Sequence, residues 1–130
     1  MKPYKHCQIS VKNWGGVPDD YLKIHNWFDQ TKSNIPDMRH RMVLHNSFGI
    51  YLCEQVFGVY FTNSDDKTVQ VRDVGEQHVL DDLGFIPTLE KCFQNLSLEQ
   101  WMGGIIRSKK VFSAEQIEER LKNHWNKKAE

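Results

Sequence analysis

Residues 59–72, VYFTNSDDKTVQVR, decide the fold class. Val59–Thr62 and Thr68–Arg72 are rich in β-branched and aromatic side chains, the second run alternates apolar with polar, and Asn63–Lys67 between them has turn composition. They predict one β-hairpin. The sequence on both sides of it repeats with helical rather than strand spacing, so the expected architecture is a mostly helical α+β single domain, with the hairpin packed against the helices. Asp65 and Asp66 in the turn lack the length and ligand pattern of a calcium loop.

Upstream of the hairpin, residues 2–17 read as an extended arm that closes at Trp14-Gly15-Gly16. Pro18, Asp19 and Asp20 then suit a helix start, and Tyr21, Ile24, Phe28, Thr31 and Ile35 give that helix a buried face up to Pro36. A second helix is expected from Asp37 to about Gln55, turning Met38, Met42, Phe48, Leu52 and Val56 inward and ending at Gly58. Downstream, Gly75–Leu83 reads as a short helix, Pro87 opens another through about Leu96, and residues 97–102 add a turn. Ser113 and Gln116 form a capping box for a last helix, whose stripe is Ile117, Leu121 and Trp125. The expected organisation is one domain over 1–130, in which 1–103 form the core and 104–130 an accessory C-terminal helix.

Lys plus Arg and Asp plus Glu both number 17, so no global field favours a polyanion and nucleic acid is not the expected partner. The basic LKNHWNKK stretch near the C-terminus, with its His124, reads as a solvated helix face. No apolar run reaches a membrane-spanning length, and MKPYKHCQIS lacks the apolar segment of a signal peptide. Cys7, Cys53 and Cys92 are odd in number and widely spaced, which suits reduced thiols and a cytoplasmic location.

Chemistry is concentrated in the histidines, five of six within the first 78 residues. Imidazole is the commonest transition-metal ligand and titrates near neutrality, so these positions are where a site is sought. His25 and Asp29 are spaced i, i+4 on the first helix, and His78 and Asp82 repeat that relation, so each carboxylate can orient its imidazole or join it at a metal. His45 shares a face with Arg41, Met38, Met42 and Leu52. His40, five positions before His45, lies about 140° away on a regular helix. Arg39 and Arg41 flank His40 and can hold a phosphate or carboxylate through their guanidinium forks. Glu76 sits near His78 but points elsewhere on the same helix, and His6 precedes the arm.

The ordered set YLKIHNWFDQTK, RHRMVLHNSFG, VFG, NSDDK, VRDVGEQHVLDDLGFIPTL and QWM, with HCQISVKNWGG before it, resembles an uncharacterised family of small bacterial and phage proteins over residues 5–103. The resemblance implies that His6, His25, Asp29, His40, Arg41, His45, Glu76, Gln77 and His78 occupy the family's motif positions. An HD-type metallophosphohydrolase is a poorer match, because Asn46 stands after His45 where the HD dipeptide requires Asp.

The expected function is therefore binding of a divalent transition metal, zinc or iron, with His25, His45 and His78 as ligands. His6, Asp29, His40 and Asp82 are additional candidates. Hydrolysis of a small anionic substrate is the expected chemistry, with Asp29, Arg41 and Glu76 as catalytic candidates. The competing expectation is a non-enzymatic interaction module, a homo-oligomer or a protein partner's docking unit, whose His, Asp and Arg motifs form a structural hydrogen-bond network.

Overall fold

The computed structural model describes residues 1–104 and 113–129, with backbone alone for 125–129. It is a mostly helical α+β structure with one hairpin, and the chain forms two compact units, Met1–Gln94 and Asn95–Glu130. In the first unit α1 spans Pro3–Trp14, α2 Asp19–Asp29, α3 Arg41–Leu44, α4 Ser47–Phe57, α5 Val71–Leu83 and α6 Leu89–Phe93. Strands β1, Tyr60–Thr62, and β2, Thr68–Gln70, pair antiparallel with Phe61 opposite Val69.

The hairpin closes where it was expected. Asn63 Oδ1 accepts from the backbone N–H groups of Asp65 and Lys67, and Asp66 takes the positive φ of 60° that the turn requires. Val69 is buried and Phe61 packs on the same core, which fixes the hairpin against the helices. β2 is shorter than the alternation suggested. Val71 and Arg72 already belong to α5, because Val71, Val74 and His78 share a helical face and both valines are fully buried in the core.

The largest departure from expectation is the N-terminus, where the arm is a helix. Pro3 sits in its first turn, Cys7, Val11 and Trp14 pack inward at spacings of four and three, and Gly15 ends it with φ 84°. Its inward face is obscured in the sequence because His6 and Ser10, both fully buried, are polar and find their partners inside. α2 also ends early, at Asp29, and continues as a 3-10 turn over Gln30–Ser33.

The expected helix from Asp37 to Gln55 is three pieces: a 3-10 turn at Met38–His40, then α3, then α4. The chain breaks at His45 and Asn46, where Asn46 adopts an extended conformation and its side-chain oxygen caps Gly49 N–H at 2.8 Å. Only glycine fits at position 49, since a Cβ there would run into the Leu44 carbonyl. The break resets the helical phase. Met38, Phe48 and Val56, expected inward, are exposed, while Leu44, Ile50 and Cys53 enter the core instead.

In the second unit, a 3-10 turn at Gln100–Gly103 packs on α7, Ala114–Ala129, with Ile117 over Gly103. The capping box forms as expected, with Gln116 N–H donating to Ser113 Oγ and Ser113 N–H to Gln116 Oε1. Ile117 is buried and Leu121 half-buried; the Trp125 side chain lies outside the described residues. No helix among the described residues is long and apolar enough to cross a membrane, and all three cysteines are free thiols.

Candidate metal centre

Four segments of the first unit meet at one buried polar cluster. α1 contributes His6 and Ser10, α2 contributes His25 and Asp29, the α3 segment contributes Arg41 and His45, and α5 contributes Gln77, His78, Asp81 and Asp82. The i, i+4 pairs expected on α2 and α5 bring their carboxylates to the same place. The helix break after Leu44 is what turns His45 toward them.

His78 is the pivot. Its ring is stacked between His6, 3.9 Å away, and Phe28, 4.9 Å away, so its orientation is fixed on both faces. Nδ1 faces His25 Nδ1 at 2.9 Å, while Nε2 lies 3.4 Å from Asp29 Oδ1 and 3.3 Å from Asp82 Oδ2. His45 Nε2 approaches the same two oxygens, at 3.6 Å and 2.9 Å. One atom from each of Asp29, His45, His78 and Asp82 thus forms a tight group, all within 4.8 Å of one another.

Hydrogen-bond partners settle the tautomers. The Gln77 amide donates through Nε2 to the His6 carbonyl and to Asp81, which leaves its oxygen to accept from Ser10 Oγ at 2.6 Å. The other short contact of that hydroxyl, the His6 carbonyl, is also an acceptor, so Ser10 Oγ accepts the hydrogen bond that His25 Nε2–H donates at 2.8 Å. Burial, reinforced by repulsion from His78 and His6, pushes His25 down to about 2 and keeps it neutral. Its Nδ1 lone pair then accepts from His78 Nδ1–H. The relay ends with His78 Nε2 turned toward two carboxylates, a position that demands a cation, either a proton or a metal.

Electrostatics agree with that demand. Burial alone would lower His78, but its contacts with Asp29 and Asp82 prevail and raise it. Asp82 is the hub: besides His45 and His78 it faces His6 Nε2 at 3.3 Å, the Met1 amino group at 3.0 Å and Arg41 Nη2 at 3.7 Å. Burial would raise its carboxyl, yet the hydrogen bond from His45 and the close approach of His6 and His78 outweigh burial and hold it far below the carboxylate range. Asp29 is lowered in the same way. His78 Nε2, Asp29 Oδ2, His45 Nδ1, His6 Nε2 and Arg41 Nε are buried without a properly aligned hydrogen-bond partner.

His6, His25 and His78 also bring three nitrogens within 4.8 Å of one another. Their rings lie nearly parallel, 18° to 25° apart, with His6 stacked over His78, so the in-plane lone pairs of that stacked pair do not converge on a common point. This group is a hydrogen-bonded stack. His45 and His78, by contrast, are inclined at 62° and converge.

His6, His25 and Arg41 border the donor group without supplying one of its four atoms, and two more sequence candidates, His40 and Glu76, stand outside it. His40 is buried perpendicular to His45, with Nδ1 3.4 Å from Thr31 Oγ1, and walls the cluster. Glu76 is bonded to Arg72 at 3.0 Å on the outer side of α5. Arg39 spends its fork on Asp37, at 2.7 Å, and draws that carboxyl down to about 2. Ser10 and Asp81 were not singled out from the sequence. The signal for Ser10 was His6-x3-Ser10, visible only once α1 is known to be a helix, whereas Gln77-x3-Asp81 was one turn of the helix already expected over Gly75–Leu83.

A helical α+β unit around a buried cluster of two histidines and two aspartates is thus the class that fold and site define. Residues 1–102 match the family model described as Domain of unknown function (DUF6915), and the chain belongs to that family. Neither the curated proteins nor the solved structures contain a match to the chain.

Proposed function

We propose that the chain binds one divalent transition metal, zinc or iron, through His45 Nε2, His78 Nε2, Asp29 Oδ1 and Asp82 Oδ2. The observation that carries this is the spacing of the four atoms: the contacts between histidine nitrogens and aspartate oxygens are 2.9, 3.3, 3.4 and 3.6 Å. Ligands tetrahedrally placed at ~2.0–2.2 Å stand about 3.3–3.6 Å apart, and closer where the angle narrows. In this reading His25 is a positioning residue that sets the tautomer of His78, and His6 a stacking partner. Two carboxylates and two neutral imidazoles neutralise a dication and suit zinc or iron.

When bound, such an ion supplies Lewis acidity to an oxygen atom. Hydrolysis of a small anionic substrate is the activity this supports, with Arg41 beside Asp82 to hold the anion. Inductively coupled plasma mass spectrometry of untagged protein tests the metal reading: about one ion per chain is expected, lost in His78→Ala and in Asp82→Asn.

A second reading has its own observation. Asp82, His78, His25, Ser10, Gln77, Asp81 and His6 form a loop of polar contacts that closes on itself, as a structural core of an interaction module would. Metal-free protein with undiminished stability selects that reading.

A further inference from the structure

A cavity of about 230 Å³ opens beside the cluster, lined in part by Arg41 and His45. Arg41 is the one residue with a permanent charge in the lining, which includes no acid, and its Nε is buried without a partner. The nearest carboxylate, Asp82, is almost completely buried and stands off at 3.7 Å, so the guanidinium is only partly neutralised. The remaining wall is apolar: Met42, Leu83 and Pro87, with Met38 exposed beside them. Methionine walls adapt to the shape of an apolar guest. The volume has room for about eight waters at ~30 Å³ each, which is too small for a nucleotide and sufficient for one ring or a short chain.

We propose that this cavity binds a small organic oxyanion, a phosphate monoester or a carboxylate on an apolar body, with the head on Arg41 and the body against Met42, Leu83 and Pro87. The proposal deepens the metal reading, since Asp82 links Arg41 to the donor group and a head on Arg41 stands next to the ion. Its first contact needs only the guanidinium, whose fork matches two oxygens of either head.

Cys92 supplies the readout, because it lines the cavity and is the one thiol of the three that is not fully buried. Its labelling rate with a thiol reagent is measured on the full chain, as purified and after chelation, against phenyl phosphate, benzoate and uncharged benzyl alcohol. Saturable protection by phenyl phosphate or benzoate, and not by benzyl alcohol, is expected. Protection by phenyl phosphate alone assigns a phosphate head; protection by both assigns a general oxyanion site. Arg41→Gln should raise the protecting concentration tenfold or more while metal content is unchanged. Equal protection by benzyl alcohol, an unchanged midpoint in Arg41→Gln, or no protection by either anion at about 10 mM overturns the proposal. A metal-loaded protein without protection would refute the anion site alone, whereas Arg41-dependent protection in a protein that holds no metal would refute the metal reading alone.

Discussion

Replacing His25 separates a ligand-orienting role from a packing role. His25→Phe preserves a buried ring but removes the Nδ1 lone pair that accepts from His78 Nδ1–H at 2.9 Å. Without a metal, neutral His78 can move its proton to Nε2, which faces Asp29 and Asp82 at 3.4 and 3.3 Å, so the metal-free protein loses the His25 bond to Ser10 but is not left with an N–H of His78 turned to an apolar ring. With a metal on Nε2 that escape is closed, and Nδ1–H is left buried without an acceptor at a cost of about 1–3 kcal/mol. The expected loss of metal affinity is therefore roughly 10–100-fold, the range found for partners that orient a metal-bound histidine. His25→Asn, whose side-chain oxygen can reach the place of Nδ1, should recover most of it. Competition against a chromophoric chelator measures the affinity, and thermal melts in chelator measure the metal-free stability. Affinity within twofold of the natural protein in His25→Phe, or a loss that His25→Asn fails to recover, would refute the tautomer relay.

Three further outcomes follow from the same geometry. Asp82→Asn keeps the shape but removes the charge faced by His6, His45, His78, Arg41 and the Met1 amino group, and should cost about 3–5 kcal/mol in chemical denaturation even in chelator; a loss below ~1 kcal/mol would show that the hub is dispensable. Burial raises the Cys7 thiol to about 11 and the Cys53 thiol to about 12, so a thiol reagent at pH 8 should label Cys92 alone in the native protein and all three after unfolding, as counted by mass spectrometry; labelling of Cys7 or Cys53 in the native state would contradict their burial. Every residue of the proposed centre lies within Met1–Gln94, so a chain ending at Gly103 should melt cooperatively and retain its metal; an insoluble product or a noncooperative melt would make residues 104–130 part of the core.

The hairpin and the i, i+4 pairs were legible because each depends on local order alone: alternation around a polar turn, and one helical turn between His25 and Asp29 or His78 and Asp82. What was illegible depends on tertiary partners. α1 hides its periodicity because His6 and Ser10 are buried polar residues, which local pattern reading scores as exposed. The break at Asn46 is marked in the sequence only by the short polar run His45-Asn46-Ser47, which one face of a continuous helix could also carry; the Asn46 cap and the close approach at Gly49 reveal it in three dimensions. The 3-10 turn at Met38–His40 before α3 departs from the regular helix that would set His40 and His45 about 140° apart, and their rings meet at 5.7 Å, yet only His45 reaches the donor atoms. His25 and His78 converge, but through Nδ1 atoms facing each other, which makes His25 a neighbour of the proposed ligand set rather than a third imidazole in it.

X-ray absorption on untagged protein loaded with zinc tests the central claim most directly, since it reports the number and kind of donors around the ion. The proposed centre requires one ion per chain, two imidazole nitrogens and two carboxylate oxygens at about 2.0–2.2 Å, with that shell unchanged in His25→Asn. A shell containing three imidazoles that falls to two in His25→Asn, or a folded protein that takes up no zinc, would contradict it.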